Sequence, residues 1–87
     1  MIDTMMFKKW LTDNTTYSSA VITDIVSRMK RADSMMTWEP TTIYLFKLEQ
    51  SVAFKRLSVS VKSQIRKSVK FYTQFIKDTN GKIGVNQ

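Results

Sequence analysis

The chain contains no cysteine and no histidine. A disulfide framework, a thiolate nucleophile, a histidine general base and the usual zinc ligand sets are therefore excluded by inventory, and with them most chemistries open to a small enzyme. Glycine and proline are also scarce, two and one respectively among 87 residues. So few turn-formers argue against a many-turned β architecture and for helices joined by short polar connections. No run approaches the roughly 20 apolar residues that a membrane-spanning helix needs, and Met1-Ile2-Asp3-Thr4 lacks the basic start of an export signal. The expectation is a cytoplasmic protein with no membrane partner. It is expected to need no metal and no cofactor.

What is present suffices for one packed domain. The chain is 43% hydrophobic and carries two Trp, three Tyr, five Phe and six Met. At this length such content supports one core, not two. The aromatic residues are read chiefly as core, with Tyr17 in a polar connection as the one candidate for exposure, and the methionines as core filler. The domain is expected over residues 1–80, with 81–87 as a tail or the start of a linker.

Net charge is +7 and unevenly placed. Residues 1–46 hold five cations against five acids and cancel; residues 47–87 hold nine against two and supply the whole excess. Such asymmetry is the footprint of a surface for a polyanion.

Periodicity divides the chain into four helices. Met6, Phe7, Trp10 and Leu11 share one side of a short helix from Asp3 to Leu11, followed by a polar connection, Thr12 to Thr16. Ser18 or Ser19 caps a second helix whose stripe is Val21, Ile22, Ile25, Val26, Met29, Ala32 and Met36. Pro40 interrupts the pattern. A third helix is expected from Thr41 or Thr42 to about Gln50–Ala53, apolar on more than one side and so covered on both faces. After Phe54–Leu57, Ser58 caps a fourth helix from Val59 to Asp78, stopped by Asn80 and Gly81. The fold class is accordingly all-α, a compact bundle of four helices.

The fourth helix carries the clearest signal. Ile65, Val69, Tyr72, Phe75 and Ile76 gather on one arc, and Lys62, Ser63, Arg66, Lys67, Lys70, Gln74 and Lys77 on the other, where the helix itself places no acid. A face built for solubility alone mixes Glu with Lys at spacing four; Lys62, Arg66 and Lys70 instead repel at that spacing unless an anion neutralises them. A phosphate backbone is the natural counter-charge. The candidate DNA-binding residues are Lys62, Ser63, Arg66, Lys67 and Lys70, with Arg28 and Arg31 of the second helix gripping a second stretch of backbone. About five neutralised phosphates would give a log K against log salt slope of about −4 to −5. The competing readings are a helical protein-interaction domain presenting its basic face to an acidic partner, a solvated basic face without a ligand, and an amphipathic helix on anionic lipid. The seven carboxylates form no acid/base pair, so the chain is expected not to be an enzyme.

Several segments resemble the N-terminal core-binding domain of tyrosine recombinases, the phage-integrase family. These are the opening Phe7-Lys8-Lys9-Trp10-Leu11, the Ser-led second helix ending Ser27-Arg28-Met29-Lys30-Arg31, and the closing helix from Ser60 through Arg66 and Phe71-Tyr72 to Phe75-Ile76. The likeness covers about residues 3–78. The second helix departs from it, with Val21 and Ile25 where Thr and an aromatic residue are common. The resemblance implies a SAM-like four-helix domain that packs on double-stranded DNA opposite a recombinase catalytic domain, forming half of a clamp. The Arg, His and nucleophilic Tyr of that catalytic domain are not in this chain.

Overall fold

Asp3 opens the first helix as its sequence suggests: the carboxylate accepts the Met6 N–H at 3.0 Å and α1 runs Thr4–Asn14. The structure is a computed structural model that describes the backbone of residues 2–84 and the side chains of residues 2–79. Phe7 and Leu11, four apart, are fully buried. The helix continues past Leu11 through residues expected to form a connection. Thr12 donates to the Lys8 carbonyl at 3.0 Å, Asn14 to that of Trp10 at 2.8 Å and Thr15 to that of Leu11 at 2.7 Å. Polar side chains that can compete with a helix here bond back onto it.

Helix α2, Ser19–Met35, begins where Ser18 accepts the Val21 N–H at 3.3 Å. Its buried side is Ile22, Ile25, Val26, Met29 and Ala32, the core of the expected stripe, while Val21 lies exposed at its margin. Beyond it, Trp38 donates its backbone N–H to Asp33 at 2.8 Å, and the buried Tyr44 hydroxyl donates to the carbonyls of Met36 at 2.6 Å and Ala32 at 3.3 Å. These bonds tie the Pro40 loop and the following helix to the end of α2.

That following helix, α3, is short, Tyr44–Gln50, because Thr41–Ile43 form a turn and Ile43 has no side chain to cap the first free N–H groups. Tyr44 and Leu48 are buried, but Ile43 is 50% and Phe46 67% exposed, so one face is covered and not two. An extra turn, α4 (Val52–Lys55), follows at once, where Ser51 accepts the Phe54 N–H at 3.2 Å. It buries Phe54. The described residues therefore form five helices, not four, and no strand.

Helix α5, Val59–Gly84, starts with the Ser58 cap, which accepts the Val61 N–H at 3.2 Å. Asn80 and Gly81 do not stop it; a glycine inside a helix costs about 1 kcal/mol relative to alanine and is tolerated here. The first four residues of the expected tail are thus helical, and 85–87 lie outside the described residues. At 1.5 Å per residue α5 is about 39 Å long, close to the 41 Å longest dimension of the molecule.

The core forms along α5. Phe7 meets the Tyr72 ring edge-on at 5.0 Å and Phe75 at 5.6 Å; Trp10 reaches Phe75 at 6.1 Å, and Trp38 meets Tyr72 edge-on at 4.9 Å. The Tyr72 hydroxyl accepts the Asp3 N–H at 3.1 Å, and the Trp10 indole donates to Asp78 at 3.1 Å. Of the methionines expected to fill this core, only Met29 is fully buried among the described residues. Met35 and Met36 pack against it, whereas Met5 and Met6 are exposed. Among the described residues no helix is long and apolar enough to cross a membrane.

Candidate nucleic-acid interface

The packing of α5 decides which of its cations reach solvent. Ile65, Ser68, Val69, Tyr72 and Phe75 turn inward, which leaves Ser63, Lys67, Lys70, Gln74 and Lys77 exposed along the opposite side. Ser63, Lys67, Lys70, Phe71 and Gln74, with Arg66, line a shallow groove on that side. Lys62 is half-buried at its margin.

Arg66 is not free. Its Nε lies 3.2 Å from one Glu49 carboxylate oxygen and its Nη2 donates to the other at 3.3 Å, so the two planar groups meet as a fork. The guanidinium carbon also sits 5.5 Å from the centre of the Phe54 ring. Glu49 comes from α3 and Phe54 from α4, so Arg66 braces both to α5. The expectation of a row of uncompensated cations is corrected at this position.

Lys67 has a different seat. Its ammonium lies 5.2 Å from the Tyr17 ring centre and 5.9 Å from that of Phe71, and the two rings meet edge-on at 6.1 Å. Tyr17 is 36% exposed, as its place in a polar connection suggests. A cation over an exposed ring gains only about 0.5–1 kcal/mol. Lys67 therefore keeps its charge available to a phosphate. Lys70 is exposed and enters no ion pair among the described residues.

The two arginines of α2 divide. The Arg28 Nε donates to the Gln64 carboxamide oxygen at 3.0 Å, which carries its charge to the flank of α5. Arg31 is exposed, and among the described residues no hydrogen bond or ion pair joins it to α5. Two contributors were missed from the sequence. Gln64 lies at the margin of the apolar arc and gives no charge signal; Glu49 lies 17 residues from its partner, with nothing local to link them. Lys77 is exposed in the same row although it was not among the candidates. Asp78 closes the C-terminal end of the face, accepting from Gln74 at 2.8 Å as well as from Trp10. Lys62, Arg66, Lys67, Lys70 and Lys77, less Glu49 and Asp78, leave three positive charges along the face.

No protein-family model, no curated protein and no solved structure matches the chain. The chemistry of the face must therefore carry the functional reading. Among the described residues no group of three or more acidic side chains could hold a metal ion. What the arrangement offers is a row of exposed ammonium groups, a serine hydroxyl and a carboxamide on one helix. Those are donors suited to phosphate oxygens.

Proposed function

We propose that this domain grips double-stranded DNA by its phosphate backbone, in the manner of the SAM-like core-binding domain that its sequence resembles in phage-integrase tyrosine recombinases. Lys67 and Lys70 make the principal contacts. Lys62, Ser63 and Arg28 flank them, and Arg31 reaches a more distant phosphate. A recombinase catalytic domain is the partner that would complete the clamp and supply the chemistry.

The observation that carries this reading is the exposed side of α5, where Ser63, Lys67, Lys70, Gln74 and Lys77 stand together while the acids of the chain lie at its margins or elsewhere. With Arg66 held by Glu49, Lys62, Lys67, Lys70 and Arg28 remain to neutralise about four phosphates, and Arg31 contributes less. The expected slope of log K against log salt is then about −3.5 to −4, somewhat shallower than all the sequence candidates together imply.

Fluorescence anisotropy of a labelled duplex, titrated at several salt concentrations, tests it. Lys67→Ala and Lys70→Ala should each flatten the slope by about 0.9 and weaken different duplex sequences alike, because backbone contacts carry no base information. If the folded wild type shows no duplex binding at low salt, the reading is wrong and the face belongs to an acidic protein partner or to solvent.

A further inference from the structure

Beside the basic row lies a cleft of about 530 Å³ between the Trp38–Leu45 segment and α5. It is apart from the residues assigned above to the DNA backbone, except that Lys70 and Gln74 line both it and the shallow groove. Its apolar lining includes Trp38, Leu45 and Ile76, with the buried Tyr44 behind them, and its polar lining includes Lys77 and the hydroxyl-bearing Thr41 and Thr42. No acid lines it.

Two features of this cleft point to one ligand chemistry. Aromatic and aliphatic walls with a few polar groups, in a volume of several hundred Å³, suit a small ring system better than an extended chain. Two lysines seven residues apart, on the same side of α5, favour negative charge on that ligand.

We infer that the cleft binds a nucleoside monophosphate unit, its base between Trp38 and Ile76 and its phosphate between Lys70 and Lys77. The unit comes from an unpaired strand or from a free nucleotide; the chemistry recognised is the same. The inference deepens the nucleic-acid reading of α5 and rests on it for the choice of a nucleotide over an acidic peptide. Lys70 links the two surfaces, so a strand following the exposed row arrives at the mouth of the cleft. Thr41 and Thr42 offer hydroxyls to the base edge or the sugar, as Gln74 offers its carboxamide oxygen and the N–H that it does not donate to Asp78.

Nitrogen-15 NMR of the assigned wild-type protein reads the site directly, through the Trp38 indole N–H and the Thr41 and Thr42 amides. The probes are dAMP, an eight-residue single-stranded DNA, inorganic phosphate, a short Asp-Phe peptide and a duplex. Saturable shifts of these three signals with dAMP or with the single strand, weakened about tenfold by Lys77→Gln, are the expected result. The more effective of those two probes identifies the source of the nucleotide. Equal shifts with inorganic phosphate reduce the site to a pair of lysines and overturn the inference, as would peptide binding in the absence of nucleotide binding. If the duplex binds through Lys67 and Lys70 while dAMP and the single strand leave Trp38 unmoved, the cleft fails and the backbone reading stands. If the duplex does not bind but dAMP does, the reverse holds. Lys77 is exposed on a helix face, so Lys77→Gln leaves the fold intact.

Discussion

Arg66 and Glu49 meet fork to fork across α5 and α3, with contacts of 3.2 and 3.3 Å, although 17 residues separate them in sequence. The middle cation of the Lys62–Arg66–Lys70 row is thereby committed within the protein. It relieves the like-charge repulsion along α5 and anchors the α3–α4 corner, where Phe54 lies beneath its guanidinium.

Glu49→Gln should release Arg66. DNA affinity at low salt is expected to rise several-fold, with a slope steeper by about 0.9, as Arg66 becomes a phosphate contact. Arg66→Ala should behave in the opposite sense, lowering stability by about 1–2 kcal/mol through the lost ion pair and ring contact while reducing affinity less than Lys70→Ala does. Urea denaturation beside anisotropy separates the two effects. Equal losses of affinity from Arg66→Ala and Lys70→Ala would contradict the assignment.

Arg28 and Arg31 should separate in the same assay. Gln64 holds Arg28 against α5, so Arg28→Ala should flatten the salt slope by nearly a full contact, about 0.9. Arg31→Ala should change it less. Gln64→Ala, which removes the tether and keeps the charge, should weaken binding only a few-fold.

Stability should fall in strong alkali for a reason located at Tyr44. Burial, followed by the nearby Asp33 and Glu39 carboxylates, pushes its phenol up to about 12 from the ordinary 10. The folded state thus retains a proton that the unfolded chain releases. The stabilisation is fully present below pH 10 and is lost as pH climbs from 10 towards 12. Burial also raises Tyr72. Urea midpoints measured across this range should drop for the wild type and drop less for Tyr44→Phe. That variant should start about 1 kcal/mol lower at neutral pH, because the Met36 carbonyl loses its donor. Parallel curves for the two proteins would count against Tyr44.

Ser68 is 1% exposed on the buried side of α5, and its hydroxyl has no hydrogen-bond partner among the described residues. Ser68→Ala removes an unsatisfied polar group and improves helix propensity, so a gain of about 0.5–1.5 kcal/mol is expected in urea denaturation. A loss of stability would mean that the hydroxyl has a partner after all.

The long helices were legible because their signals are local. The caps at Asp3, Ser18 and Ser58 and the period of the α2 and α5 apolar stripes depend on neighbours within a turn or two. They identify Ile65, Val69, Tyr72 and Phe75 as inward and Lys67 and Lys70 as outward. Where local rules compete, the reading failed: Thr12 and Asn14 could cap, turn or bond back, and Ser51 could continue a helix or restart one.

Composition, charge asymmetry and helical period therefore determined by themselves that the chain is all-α, that its positive excess lies in residues 47–87, and that the last helix gathers Lys62, Arg66, Lys67, Lys70 and Lys77 on one side. Only the tertiary structure decided which of those cations are free. It placed Glu49 on Arg66, Tyr17 beneath Lys67 and Gln64 on Arg28, left Phe46 bare, and opened a cleft between the Pro40 loop and Lys77. Periodicity reports the direction a side chain takes from its own helix axis, whereas an ion pair or a cleft depends on what a second helix brings to that direction.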